Sequence, residues 1–564
     1  MDQRRARLTD RASDSRAPTG GAPNGGPGAG RRSSFAWPGV RVTTAAEARA
    51  LDDAAIARGI PSRALMRAAG HAAACEITRR YAHNLARGVA VYAGPGNNGG
   101  DAWVVAGALK AAGIAVSVRA VGEAKTEESA AERVEAELLE LPAPHGGEEI
   151  VVDGLLGVGA RGAPKGEIAD AIAEIRARRA RGAIIVALDV PSGLDASSGE
   201  TFGDGTVQAH CTICFGTLKR GALVARAHAG AIVVLDIGLG VDAMTATIRR
   251  SAPDVAAQLA PWVAPGVHLA DAHTVHAMLP RMAASSHKGT RGKVLIVGGA
   301  SGMSGAVILA ARGALAAGAG LVKVCAHASS LGAVSAAVPQ ALTTPWPENA
   351  TEAARLAAWA DAMVIGPGFG PGARVRVLWF INGAPTSVVL DADALNAFPG
   401  ESGGLGRLLA GREALITPHP LEYARLLGGD TAQLLSSSHF ELGRGGAFGM
   451  GCAILLKGVP TTVSSPDGRQ IVSATGTPAL ATGGSGDVLA GIAGTLLAQL
   501  GRADDAGALA AWLHGRAAEL AQGPRSARAI TLEDVLVALP NLWDEAPPPR
   551  RVPVLAELPA VREA

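Results

Sequence analysis

Ala481-Thr482-Gly483-Gly484-Ser485-Gly486-Asp487 runs directly into Val488-Leu489-Ala490-Gly491. Three glycines around one acid, followed by an apolar run, read as a tight loop that opens a buried helix at or near Asp487. Glycine lets the backbone come close to a ligand, and the free N–H groups of a helix start favour an anion such as phosphate. A carboxylate gains nothing electrostatically from standing beside phosphate. Its use there is chemical, as a base that takes a proton from a substrate hydroxyl; the alternative is a plain helix cap. A second constellation is Gly94-Pro95-Gly96-Asn97-Asn98-Gly99-Gly100-Asp101, whose two adjacent amides and one carboxylate offer hard oxygen ligands. Two more acids close apolar runs, Asp153 after Ile150-Val151-Val152 and Asp189 ahead of Val190-Pro191-Ser192-Gly193. Each alone could cap a turn, but acids at successive strand ends point to one shared site, because open α/β sheets bind ligands there.

The elements that must position these residues follow from the pattern. Gly88 to Ala93 is a short glycine-bounded apolar run, a buried strand, and an apolar helix follows from Trp103 to Ala112. Strand, glycine turn and helix form a phosphate- or nucleotide-binding layout, although the run is not a GxGxxG fingerprint. A helical pattern is expected from Arg41 and a second from Leu65-Met66; further strands are expected over 184–189, 207–215 and 231–237. A second unit repeats the theme. Strands over 293–297, 321–325, 361–365, 388–390, 414–416 and 454–456 each run into polar or glycine-rich turns, including Gly298–Gly305, Gly366-Pro367-Gly368, Asp391-Ala392-Asp393, Thr417-Pro418-His419-Pro420 and Lys457-Gly458-Val459-Pro460-Thr461. Strand after strand followed by helix argues for mainly parallel sheets with the site on one edge. The expected fold class is α/β, two three-layer α/β/α domains.

The chain of 564 residues is too long for one core. The expected division is a disordered tail over 1–38, a first domain over 39–245, a linker over 246–268, a second domain over 269–543 and a Pro-rich tail over 544–564. Hydrophobic content of 48% with 18% charge marks a globular protein. Aromatics are only 3%, so the cores are built from small residues that favour close helix–sheet packing. Net charge is +2 and residues 1–38 carry seven Arg against three Asp, so no domain-wide basic field recommends a nucleic-acid partner. No apolar segment free of charge or glycine breaks is long enough to span a membrane, and no secretory apolar region follows the N-terminal arginines. Five cysteines, an odd number lying mostly in apolar runs, argue for a reducing compartment and a cytoplasmic protein. Cys211 and Cys214 form a lone CxxC; on a strand the two thiols point to opposite faces, which disfavours a metal or redox role.

Gly94 to Asp101, taken with Asp189-Val190-Pro191-Ser192-Gly193-Leu194-Asp195, resembles the NAD(P)HX epimerase domain. Lys288-Gly289, the Gly298–Gly305 run, Gly366-Pro367-Gly368, Thr417-Pro418-His419-Pro420, Lys457-Gly458 and Thr482–Gly491 resemble the ADP/ATP-dependent, ribokinase-like NAD(P)HX dehydratase domain. Their order over about residues 40–540 resembles the bifunctional NAD(P)H-hydrate repair family, which restores nicotinamide cofactors that have taken up water at C6. The resemblance implies that Asn97, Asn98, Gly99, Gly100 and Asp101 bind the hydrate, with Asp189 at the substrate and Gly157, Val158, Gly159, Ala160, Arg161, Gly162 and Ala163 at the cofactor phosphates. It implies potassium held by Asn98, Asp153 and Ser192. In the second half it implies hydrate contacts from Ala306, Gly368, His419 and Asp487. ADP or ATP with Mg2+ would be bound by Lys457, Gly458, Val459, Pro460, Thr461 and Gly486. The implied partners are NADHX or NADPHX and ADP, without nucleic acid or membrane, and a homo-oligomer is compatible with the family. The sequence departs from the family at Ala102, where glycine is frequent, at Leu421 in His419-Pro420-Leu421-Glu422, at Ser485, and at Ala479-Leu480. Leu421 bears on affinity through the width of the substrate side. Two other readings use the same residues: a vitamin or sugar kinase of ribokinase type, which leaves the first half without a role, and a first half that only grips a nucleotide, which leaves its strand-end acids without one.

Overall fold

Apolar runs bounded by glycine or polar turns become strands with almost no exposed surface. The structure is a computed structural model that describes Trp37 and residues 39–239 and 266–561. The first half contributes β1 (Arg41–Thr43), β2 (Val89–Ala93), β3 (Val116–Ala120), β4 (Ile150–Gly154), β5 (Ile184–Leu188), β6 (Cys211–Phe215), β7 (Leu218–Lys219) and β8 (Ala231–Leu235). The second contributes β9 (Val267–Leu269), β10 (Lys293–Gly298), β11 (Leu321–Ala326), β12 (Leu342–Pro345), β13 (Ala362–Ile365) and β14 (Ser387–Leu390). It continues with β15 (Ala414–Ile416), β16 (Ala453–Leu456), β17 (Thr461–Ser464), β18 (Gln470–Ser473) and β19 (Val554–Leu558).

Among the described residues these strands form two sheets. One has the order β19-β8-β6-β5-β4-β2-β3 and is parallel from β3 to β8. The other has the order β12-β11-β10-β13-β14-β15-β16-β17-β18-β9-β1-β7. It is parallel from β12 to β16 and turns antiparallel through β17 and β18. This is the expected α/β class with mainly parallel sheets and flanking helices. The parallel β2, β4, β5 and β10 to β16 end together in their sheets, so the glycine and acid turns collect at those edges.

The two halves exchange strands, and this differs from a linear division. Arg41–Thr43, read as the start of a helix, is β1, because Thr44 caps the next helix, Ala45–Ala57, in a reciprocal box with Glu47. β1 pairs with β7 and β9, which places two first-half strands on the edge of the second half's sheet. Val554–Leu558, inside the expected Pro-rich tail, pairs antiparallel with β8 of the first sheet. The expected linker reaches Val267–Leu269, which forms β9; its residues 246–265 lie outside the described residues, as does the expected tail apart from Trp37. Trp37 is 2% exposed and donates its indole N–H to Asp505 at 3.0 Å. Val42, Leu218, Leu223 and Ile232 pack with Val267, Leu269, Phe440, Val472 and Leu558 in one apolar cluster at the seam. Each such residue buried contributes roughly 1.5–3 kcal/mol.

The scarcity of aromatics has a visible use. Helix Ser485–Leu500, buried continuously from Val488 to Leu497, lies against helix Ser304–Ala316. A Cβ at Gly491 would come within 2.0 Å of Ala310 O, and one at Gly313 within 2.5 Å of Val488 O. The helix that carries Asp487 is therefore clamped by backbone contact. Among the described residues no helix is long and apolar enough to cross a membrane.

Candidate functional site

In the first half the helix begins at Asn97, not near Trp103, so Asn97 to Asp101 occupy its first turns. Asn97, Asn98, Asp101, Gly157, Val158, Gly159 and Asp189 line one cavity of about 330 Å³ together with Asp52, Phe215 and Lys219. Gly99 and Gly100 stand behind the wall: a Cβ on Gly99 would meet Gly94 O at 1.8 Å and one on Gly100 would meet Met66 Sδ at 2.5 Å. Ala160 continues the loop, and Arg161, Gly162 and Ala163 are exposed outside the lining. Ala102 is buried against Gly154. Asp189 ends β5 in a left-handed conformation, φ +63°. Its carboxylate is ion-paired with Lys219 Nζ and accepts from Phe215 N–H at 3.3 Å. Burial raises Asp101 well above the usual carboxylate range, with Asp189 and Asp52 adding repulsion. Burial also pushes Asp52 up to about 6, which Lys219 opposes and Asp189 reinforces.

Beside this cavity lies an oxygen cluster. Asp153 is fully buried and accepts from Ser192 N–H at 2.8 Å and Ser192 Oγ–H at 2.6 Å. Burial still pushes it up to about 6. Asn98 donates to Leu156 O at 2.9 Å, while its Oδ1 is buried without a hydrogen-bond partner. An orphaned amide oxygen beside a buried carboxylate whose hydrogen bonds come from Ser192 and Leu155 is the donor set a hard cation would complete. Among the described residues no group of three His, Cys, Asp or Glu is arranged as a metal centre, so such a site rests on one carboxylate. Cys211 and Cys214 are free and belong to different clusters on the two faces of β6.

In the second half helix Ser485–Leu500 starts after Gly484, with Asp487 in its first turn. Lys457, at the end of β16, donates to Asp391 Oδ1 at 2.6 Å. A Cβ on Gly486 would lie 3.1 Å from Lys457 Nζ. Burial pushes Asp487 up to about 7, the Asp391, Asp393 and Glu422 charges adding to the rise and Lys457 opposing it. Lys457 N–H donates to Pro418 O at 3.0 Å, which brings the next strand-end turn alongside. There His419 caps helix Pro420–Leu427. Its Nδ1 accepts from Leu421 and Glu422 N–H at 3.1 and 3.2 Å, so the neutral ring carries its proton on Nε2. Leu421 is 37% exposed. Gly368 sits against Ala306, its Cβ position 2.9 Å from the alanine Cβ. Gly458 abuts His439, Val459 is exposed and Pro460 buried, and Thr461 Oγ–H donates to Gly458 O at 3.0 Å.

The sequence reading gave no role to Lys219, Asp52, Asp391, Asp393 or Glu422. The Asp391-Ala392-Asp393 strand end was a usable signal, since it repeats the acid-after-strand pattern. Lys219 carried no signal: its place beside Asp189 depends on a turn and a strand pairing that no local pattern encodes.

A family described as NAD(P)H-hydrate dehydratase matches residues 294–541, and one described as YjeF-related protein N-terminus matches residues 62–221. The bifunctional NAD(P)H-hydrate repair enzyme of Moorella thermoacetica is 35% identical over 89% of this chain and 97% of that protein. The enzyme of the same name from Escherichia coli is 34% identical over 87% of this chain and 91% of its own length. Among solved structures, the ADP/ATP-dependent NAD(P)H-hydrate dehydratase from Bacillus subtilis, co-crystallised with ATP/Mg2+, is 30% identical, with 96% of it matched to 48% of this chain at a TM-score of 0.42.

The crowding of Asp487 predicts a stability effect. Its folded-state value of about 7 lies above the ordinary 3.8, so its ionised form costs stability above pH 7 and nothing below the unfolded value. Asp487→Asn removes that cost. Thermal melting at pH 8 should show the variant more stable than the parent, by at most about 4 kcal/mol, and the gap should close as pH falls from 7 towards 4. A variant less stable at pH 8 contradicts the crowding.

Proposed function

The chain belongs to the bifunctional NAD(P)H-hydrate repair enzymes, and we propose that it works on the C6 hydrate of NADH or NADPH at two separate sites in the cytoplasm. The observation that carries this reading is the pairing, in one chain, of a carboxylate cavity around Asp189 with a helix start that presents Asp487 beside Gly486 and Lys457.

At the first site Asp189 takes the proton of the C6 hydroxyl. The oxygen then forms a carbonyl, the C6–N1 bond breaks, and N1 receives a proton from Asp101, which its burial and its acidic neighbours push towards the protonated form. Closing the ring from the other face exchanges the two epimers. Asn97 and Asn98 orient the hydrate, and the Gly157 to Ala163 loop faces its phosphates. Asn98, Asp153 and Ser192 would hold potassium; the ion's charge would offset the buried Asp153 carboxylate and complete the Asn98 Oδ1 valence.

At the second site hydroxide is a poor leaving group, so the hydroxyl is first phosphorylated. Asp487 accepts the hydroxyl proton as the oxygen attacks the terminal phosphorus of ADP or ATP, the bond to the bridging oxygen breaks and AMP or ADP departs; Mg2+, when bound, would neutralise the phosphate charge. The N1 lone pair then expels phosphate, and transfer of a C5 proton to solvent restores the dihydronicotinamide. Lys457 to Thr461 and Gly486 hold the nucleotide, while Ala306, Gly368 and His419 hold the hydrate. A ribokinase-type kinase would use the same base but would keep the phosphate on its product; release of free phosphate separates the two.

Two predictions test the assignments. Asp487→Asn should keep near-normal ADP affinity in calorimetry while dehydration falls by about 10²–10⁴, whereas Gly486→Val should lose nucleotide binding, because its side chain would occupy the approach beside Lys457. Wild-type turnover in Asp487→Asn would remove the base assignment. Asp153→Ala, or replacement of potassium by a bulky organic cation, should slow epimerisation and leave dehydration of the S epimer unchanged. Epimerisation indifferent to both would remove the ion site.

A further inference from the structure

Resting on the epimerase reading of the first site, we propose that Lys219 is the positioning residue for Asp189, and that it is held in place by the sheet of the other half. Lys219 is 2% exposed. Its ammonium is bonded to Asp189 Oδ1, to Phe215 O at 2.9 Å and to Thr217 O at 3.2 Å. Three acceptors use all three donors, so the ammonium has one orientation. Asp189 receives a second fixed bond at the same oxygen, from Phe215 N–H, and its carbonyl accepts from Cys214 Sγ–H at 3.3 Å. One carboxylate oxygen is thereby anchored, leaving the other for substrate.

The charges around this cavity explain why a buried cation is needed there. Asp52 and Asp53 face it from helix Ala45–Ala57, Asp101 from helix Asn97–Ala111 and Asp189 from the end of β5; Arg49 stands exposed on the same helix as Asp52. Cys214 faces Asp189 from β6, its thiol pushed up to about 12 by burial. Four carboxylates lining one cavity without an interior cation would leave a base that resists ionising. Of these carboxylates only Asp189 is shown in direct contact with the Lys219 ammonium, while burial and its acidic neighbours raise Asp101.

The lysine cannot drift, because its backbone is strand β7. Lys219 is in register with Thr43 of β1, Thr217 Oγ bonds Thr43 Oγ at 2.8 Å, and β1 pairs onward with β9. The epimerase base is thus aimed by an edge of the sheet that carries the dehydratase site.

The test uses the full chain, with R-hydrate epimerisation and S-hydrate dehydration measured on the same protein. Lys219→Met should lower the epimerisation kcat roughly 10–100-fold, part of the 10²–10⁴ that a general base supplies, with KM little changed and the acid limb of its pH profile moved to higher pH. Dehydration should stay at the parent rate. Lys219→Arg should recover part of kcat and return the acid limb towards its parent position. Lys219→Gln provides a second neutral variant should the methionine lower the melting temperature. Parent-like kcat and pH profile in either neutral variant would overturn the proposal. So would loss of kcat with an unmoved acid limb, the mark of a purely structural lysine. Absence of epimerisation in the parent protein would instead overturn the epimerase reading.

Discussion

The turn after each central strand lies with its backbone directly against the turn after its neighbour, and both sites depend on that contact. A Cβ at Gly94 would reach within 1.9 Å of Leu155 O, one at Gly298 within 2.0 Å of Pro367 O, and one at Gly366 within 1.7 Å of Asp391 O. A side chain at any of these positions would force neighbouring strand ends apart by about 1 Å or more, since such contacts are far inside van der Waals distance. Held together, the turns bring residues distant in sequence within reach: Asn98 with Asp153 and Ser192 in one sheet, Asp391 with Lys457, Gly486 and Asp487 in the other. The glycine content is thus a requirement of the sites as much as of the turns.

Given that convergence, the chemistry turns on how each site divides its protons. Acids gathered in a buried place cannot all ionise. In the first site Lys219 lies on Asp189, and burial with its acidic neighbours raises Asp101 well above the usual carboxylate range. In the second, Lys457 lies on Asp391, and Asp487 is pushed up to about 7. A base poised near neutrality suits proton transfer. The same burial that would suit Asp487 to act as a base makes it a weak point in the fold, a conflict typical of functional sites.

Much of this was legible in the sequence. Glycine-bounded apolar runs marked most of the parallel strands, since a strand buried on both faces leaves an uninterrupted apolar signature. Asp153, Asp189 and Asp487 stood out because an acid at a strand end or helix start interrupts that signature. What was not legible depended on pairing across long separations. Arg41–Thr43 is three residues long and carries no period; it is a strand only because β7 and β9 lie on either side. Val554–Leu558 sits after a proline-rich stretch and becomes a strand by meeting β8. The onset of the helix at Asn97 was hidden because Asn, Asn, Gly and Gly are weak helix formers, overridden here by packing of Gly99 on Gly94. Lys219 was missed for the same reason as β1: its role is set by the seam.

One chain of this family joins an epimerase and a nucleotide-dependent dehydratase for the same damaged cofactor. The most direct measurement is recovery of reduced-nicotinamide absorbance from a mixed preparation of R and S hydrates of NADH, followed with the full chain with and without ADP in potassium buffer. No recovery is expected without ADP, and with ADP a complete recovery faster than the uncatalysed interconversion of the epimers, accompanied by one free phosphate per cofactor restored. Recovery that stops at the S fraction and then creeps at the uncatalysed rate, or a phosphorylated product without return of absorbance, would contradict it.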